Sequence, residues 1–147
     1  MDKILTITNL EKSFHTRDGE VKALESVSFD VKEKEFISIV GPSGCGTSTI
    51  LSILAGLEEK SNGEINFSKD YTIGYMLQND SLFEWRTVLE NCLLGLEITN
   101  QLTKENKEYV INLLKTYGLE EFIDSYPSRL SGGMRQRVAL IRTLATK

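Results

Sequence analysis

Nine residues carry the strongest chemical signal in this chain: Gly41-Pro42-Ser43-Gly44-Cys45-Gly46-Thr47-Ser48-Thr49. They match the phosphate-loop pattern G-x-x-x-x-G-K-[ST] at Gly41, Gly46 and Ser48, but Thr47 stands where the lysine belongs. Such a loop curls backbone N–H groups around an anion, and the helix behind it adds positive partial charge. The glycines let the backbone come close and adopt positive φ. Ser48 offers a hydroxyl for Mg²⁺. The absent lysine would pair with the outer phosphates, in charged hydrogen bonds worth roughly 1.5–3 kcal/mol each. Thr47 is short and neutral and does not replace it. The plain alternative is a glycine-rich turn that binds nothing.

A second group lies far downstream, Leu130-Ser131-Gly132-Gly133-Met134-Arg135-Gln136-Arg137. Ser131 is placed to cap a helix beginning near Met134, and Gly132 and Gly133 permit close approach of an anion. Beyond it, Met134, Val138, Ile141 and Ala145 form one helical stripe, with Arg135, Arg137 and Arg142 off it. An ordinary loop leading into an amphipathic helix is the bland reading.

The elements that must position these groups are legible at coarse grain. Ile4–Asn9 alternates as a strand, Arg17-Asp18-Gly19-Glu20 reads as a turn, and Val21–Val31 as a second strand. Phe36–Val40 reads as a buried strand feeding the loop, and Ser48–Leu57 as the helix after it. Ser61-Asn62-Gly63 is a turn, with Glu64–Phe67 and Tyr71–Leu77 as further strands, the latter placing Gln78 at a strand end. Val88–Leu96 and Lys104–Tyr117 read as helices. The second shows Val110, Leu113, Leu114 and Tyr117 on one face, with Thr103 as cap and Gly118 as terminator.

Composition sets bounds. A length of 147 residues, 40% hydrophobic and 26% charged, suits one modest globular core. Net charge is −4 with no basic run, which points away from nucleic acid and anionic lipid. No apolar stretch approaches the ~20 residues of a membrane span, and no leader-like N-terminus is seen. Cys45 and Cys92 have neither metal nor disulfide spacing, which suits a reducing cytoplasm.

Together the phosphate loop and the Leu-Ser-Gly-Gly sequence resemble the ATP-binding subunit of an ABC transporter, from about Ile4 to the last residue. The stretch Gln78-Asn79-Asp80-Ser81-Leu82-Phe83-Glu84-Trp85-Arg86-Thr87-Val88-Leu89-Glu90-Asn91 is most similar to the importer branch for nitrate, sulfonates and taurine. The resemblance implies an α/β fold with a P-loop nucleotide-binding core. Its N-terminal part is antiparallel and β-rich, an α-helical subdomain follows, and the C-terminus is incomplete. It divides the chain into a core over 1–78, a helical subdomain over 79–130 and a signature segment over 131–147.

The same resemblance implies ATP and Mg²⁺ as ligands. Gly41, Ser43, Gly44, Cys45, Gly46, Thr47, Ser48 and Thr49 would hold the phosphates, and Phe14 would stack on adenine. Gln78 and Ser48 would meet the metal, with Gln78 also near the attacking water. Ser131, Gly132, Gly133 and Met134 would contact a nucleotide held by a second ATP-binding subunit in a head-to-tail dimer. Glu84, Trp85 and Arg86 would belong to the groove that receives an integral membrane permease subunit. The implied location is the inner face of the cell membrane, with no nucleic-acid partner. From the residues alone, Phe14 also reads as a core aromatic, Gln78 as a solvated strand end and Trp85 as subdomain packing. His15 reads as an exposed loop histidine.

The family's second catalytic motif, an apolar strand ending in Asp-Glu, is not found. After Gly46 the aspartates are Asp70, Asp80 and Asp124, and Glu follows none of them. The resemblance therefore predicts a chain that stops after the signature helix and turns over no ATP alone. The functional expectation is an importer's ATP-binding subunit, coupling ATP binding and hydrolysis to uptake of a small anion or nutrient. The alternative is a non-catalytic nucleotide- or partner-binding remnant, or an inert fragment.

Overall fold

A computed structural model describes residues 2–17 and 19–146. It contains two compact units, Met1–Ile73 and Gly74–Lys147.

The first unit is built on strands β1 (Lys3–Thr16), β2 (Gly19–Lys32) and β3 (Asn62–Phe67), with helix α1 (Thr47–Leu54) between β2 and β3. The sheet is antiparallel in the order β2-β1-β3. Leu5 and Ile7 point inward from β1 as the alternation predicts, but inward positions then become Leu10 and Lys12. The parity changes because the register slips between Ile7 and Leu10, where Asn9 takes a positive φ of 48°. An extra residue in one strand of a ladder reverses which face follows. Leu24 of β2 and Ile50 and Ile53 of α1 complete this core.

Five local expectations do not hold. Phe36–Val40 is not a strand, and Phe36 and Val40 are 94% and 86% exposed. A run apolar on both faces is stable as a strand only with neighbours on both sides, and the described ladders pair only β1 with β2 and β3. Tyr71–Leu77 likewise forms no strand, so Gln78 does not end one. Helix α1 stops at Leu54 rather than Leu57. Gly56 at φ 72° turns the chain left-handed, Gly56 N–H donates to Ile53 O (3.0 Å) and Leu57 N–H to Ser52 O (2.9 Å). That pair of bonds is a Schellman stop. Strand β3 begins at Asn62, inside the expected turn. Of the turn at 17–20, Asp18 lies outside the described residues. His15 is exposed, but at the end of β1 rather than in a loop.

The second unit packs three helices: α2 (Val88–Ile98), α3 (Lys104–Thr116) and α4 (Gly132–Ala145). Thr87 and Glu90 form a reciprocal capping box on α2, and Thr103 Oγ1 accepts from Asn106 N–H at 3.1 Å on α3. Gly118, at φ 71°, ends α3 and lets Leu119 N–H reach Leu114 O at 2.8 Å. The core joins Val88, Cys92 and Leu96 of α2, Val110 and Leu114 of α3, and Val138, Ile141 and Ala145 of α4. Leu113, Tyr117 and Met134 pack at its border. The signature helix thus shares one core with the helices that precede it, and the stripe read from its sequence is its buried face. No helix among the described residues is long and apolar enough to cross a membrane.

Candidate functional site

The phosphate loop is shaped by its glycines. Gly44 and Gly46 have φ of 82° and 87°, a region costly for side-chain-bearing residues. Gly46 has a second constraint, because a Cβ there would collide with the Ala23 carbonyl of β2. It is the N-cap of α1 and brings no side-chain hydrogen bond to the helix. Helix geometry leaves the N–H groups of Thr47, Ser48 and Thr49 without intrahelical acceptors. Cys45 N–H folds back onto Pro42 O at 3.1 Å, and a Cβ on Gly41 would meet Cys45 Sγ. Ser43 and Ser48 are exposed, and Thr47 is half-buried. The turn therefore presents backbone donors and hydroxyls, with no ammonium on the loop itself. That arrangement suits an anionic oxygen cluster, held more weakly than a loop with lysine would hold it.

Phe14 lies on β1 and is exposed, not a core aromatic. Lys12 Nζ sits over its ring, 4.7 Å from the centroid, and is anchored by Glu58 Oε1 and Glu59 O, both at 2.6 Å. One face of the ring thus carries a cation. Lys12 is 8% exposed, and sequence reasoning passed over it because its inward direction depends on the bulge at Asn9.

In the second unit the signature turn forms as expected at its cap. Ser131 Oγ accepts from Met134 N–H at 3.3 Å, and Ser131 O from Arg135 N–H at 2.9 Å. The helix starts at Gly132, slightly earlier than Met134. Ser131, Gly132 and Gly133 are exposed.

The segment after Gln78 has no regular structure up to Val88, yet it is held at many points. Gln78 is exposed, and its carbonyl accepts from Gln136 Nε2 at 3.2 Å. Arg135 grips Asp80 through Nε (2.9 Å) and a terminal nitrogen (3.1 Å), and the same nitrogen reaches Glu84 at 2.7 Å. The Arg135 guanidinium, aided by Leu82 N–H, holds the Asp80 carboxyl below the usual carboxylate range. Arg142 donates to the carbonyls of Ser81 (2.9 Å) and Asp80 (2.7 Å). Arg86 pairs with Glu97 at 2.7 Å. Trp85 is 73% exposed and stacks on Phe83, with centroids 4.9 Å apart and planes 16° from parallel.

Sequence reasoning missed Asp80, Arg135 and Asn91 as organisers of this segment. Arg135 had a signal, since it directly follows the signature turn. Asn91, mid-helix and fully buried, had none.

A glycine-shaped loop leads into α1 and a serine-capped turn into α4. A family model described as ABC transporter matches residues 24–147, and the chain belongs to that family. It is 44% identical over 147 residues to an uncharacterised ABC transporter ATP-binding protein, YtlC, of Bacillus subtilis, covering 96% of this chain and 56% of that protein. It is 39% identical over 150 residues to the taurine import ATP-binding protein TauB of Rhizobium johnstonii, covering 97% of this chain and 57% of that one. A dimeric ATP-binding cassette in a post-hydrolysis state, bound to ADP and Pi, superimposes with a TM-score of 0.84 at 32% identity. That match covers 97% of this chain and 69% of the other. The chain spans a little over half the length of these two curated relatives.

Proposed function

We propose that this chain is part of the ATP-binding subunit of an ABC importer, coupling ATP binding and hydrolysis to uptake of a small anion or nutrient. The observation that carries the reading is the start of α1. A glycine N-cap without a side-chain bond leaves the N–H groups of Thr47, Ser48 and Thr49 free for a phosphate. In this reading Gly41, Ser43, Gly44, Cys45 and Gly46 complete the cradle, and Phe14 receives adenine on the face away from Lys12. The Ser48 hydroxyl and Gln78 would hold Mg²⁺, which would offset phosphate charge when bound. The protein's own task is to position and to offset charge.

The turn Ser131–Met134, exposed at Ser131, Gly132 and Gly133, serves a nucleotide on a second subunit, and the Glu84–Arg86 segment serves a membrane permease. The core over 1–78, the helical part over 79–130 and the signature segment over 131–147 divide this work. The working location is the cytoplasmic face of a membrane. The taurine name of one relative supports a small anionic or zwitterionic solute.

One observation favours a second reading. Thr47 supplies no charge where the pattern has lysine, which suits a module that binds nucleotide or a partner without turning over. The first test is binding. Fluorescent ATP titrated against the 147-residue chain should show saturable binding that unlabelled ATP displaces. Gly46→Val, which forces a side chain into the Ala23 carbonyl, should abolish it. Equal binding by both proteins would refute the loop as the nucleotide site.

A further inference from the structure

Among the described residues, Lys12 is the one charged residue that is buried. An ammonium taken out of water needs its donors answered. Two of them reach oxygens, Glu58 Oε1 and Glu59 O, both at 2.6 Å. Its remaining contact is the Phe14 ring, 4.7 Å away at the centroid. The loop that supplies the oxygens is fastened to β1 on either side of Lys12. Ser61 N–H donates to Glu11 O at 2.9 Å, and Ser13 N–H to Ser61 Oγ at 3.0 Å. The cation is therefore fixed against the ring rather than passing by it. The ring has need of an anchor, because Phe14 is exposed and lies two residues from the end of β1.

Glu58 does not cancel the charge. Its side chain is 37% exposed against 11% for Lys12, so water screens the carboxylate more than the ammonium. A cation on one face of a ring draws π density towards itself. The opposite face becomes less negative and stacks better on an electron-rich ring. Purines are richer in π electrons than uracil. The ladder also places the ring usefully. Lys12 pairs with Leu24 and Phe14 with Val21, and a Cβ on Gly46 would strike the Leu24 side chain. Ring and phosphate loop thus lie along one stretch of β2, three residues or about 10 Å apart.

We propose that Lys12 is a positioning and specificity-determining residue. Held between the α1–β3 loop and one face of Phe14, it fixes the ring and makes the opposite face prefer purines to pyrimidines. The inference rests on the reading of Phe14 as the base platform; the contacts of Lys12 stand apart from it.

Competition against ATP labelled on its ribose tests it, with ATP, GTP, UTP and inorganic tripolyphosphate as competitors for the 147-residue chain. The native chain should prefer ATP and GTP to UTP by about three- to tenfold. Lys12→Met keeps the apolar stem and removes the charge. It should weaken ATP and GTP by about three- to thirtyfold, leave UTP within about twofold and leave tripolyphosphate unchanged. Lys12→Arg keeps a cation and should keep the preference. Equal weakening of all four competitors by Lys12→Met would mark a merely structural role and overturn the proposal, as would a preference that survives it. Should Lys12→Met fail to fold, Glu58→Gln removes the screening carboxylate at a partly exposed position and should raise the ATP-to-UTP ratio by about twofold. An unchanged or lower ratio would also overturn the proposal. Phe14→Leu separates the two claims. If it leaves ATP affinity unchanged, the base does not rest on Phe14, and the platform reading falls with the role of Lys12. If it weakens ATP while Lys12→Met does not, the role of Lys12 alone is overturned.

Discussion

Asn91 and Phe83 exchange two hydrogen bonds: Phe83 N–H donates to Asn91 Oδ1 at 2.8 Å, and Asn91 Nδ2 donates to Phe83 O at 3.1 Å. Asn91 is fully buried, and its remaining donations go to the carbonyls of Arg86 and Thr87. One amide therefore satisfies backbone groups that a helix or sheet would otherwise have to serve. It sets the shape of the loop beneath the Phe83–Trp85 stack.

Replacing that amide has a predictable cost. Asn91→Leu takes the partner from the Phe83 N–H and from the Arg86 carbonyl, while Phe83 O keeps Arg86 N–H and Thr87 O keeps the N–H of residue 91, so stability should fall by about 2–4 kcal/mol. Urea unfolding followed by helical circular dichroism measures this. Trp85 emission should also change in the folded variant, because the loop loses its template. A loss below about 0.5 kcal/mol would show that water takes over the bonds.

Thr47→Lys should tighten ATP binding by roughly ten- to a hundredfold, the effect of one charge-assisted contact of about 1.5–3 kcal/mol. Equilibrium titration with labelled ATP gives the ratio. ADP should gain less than ATP if the ammonium reaches the outermost phosphate. No gain for either would show that the loop does not seat phosphates as its donors suggest.

Turnover by these 147 residues should stay at background, even in Thr47→Lys. No Asp-Glu pair follows an apolar run of four after Gly46, and phosphoryl transfer depends on placed charge. Phosphate release by a preparation free of contaminating ATPase decides it. Sustained hydrolysis would mean that another carboxylate takes the role.

The two cysteines should behave oppositely. Cys45 is exposed on the phosphate loop and Cys92 is buried. Native protein should therefore react with one equivalent of a thiol reagent, and unfolded protein with two. Bound ATP should slow the Cys45 reaction. Burial pushes the Cys92 thiol up to about 12 from its ordinary 9.0. Folding thus favours the protonated thiol. Its stabilising contribution is complete below pH 9 and is lost as pH rises towards 12, because the unfolded chain ionises first. Cys92→Ala should flatten the alkaline fall in melting temperature. Asp80 works in the other direction, since its carboxyl is held below 3.8 by Arg135. Its contribution is present above that value and is lost as pH drops through the lowered one.

Helices and their ends were largely legible because their bonds are local. Thr103, Ser131 and Gly118 could be assigned as caps and terminator from neighbours a few residues away, and the structure places them so. The stripe Val138, Ile141, Ala145 follows from helical periodicity alone. The phosphate loop was legible for a similar reason, since its glycines encode local backbone angles. Strand membership depends on partners far along the chain. Phe36–Val40 has the composition of a buried strand, but composition supplies no neighbour, and these residues stay outside the described ladders. Lys12 shows the same limit, because one bulge at Asn9 decides which face it occupies.

The sequence by itself determined the family, the phosphate loop with Thr47 in it, the signature turn and the helical periods, all of which are set by residues within a few positions of one another. The tertiary structure decided what those motifs lean on. Arg135 meets Asp80 across 55 residues, and Lys12 meets Glu58 across 46. No local pattern marks such pairs, because their contact exists only after loop closure and core packing have placed the helices and strands that carry them.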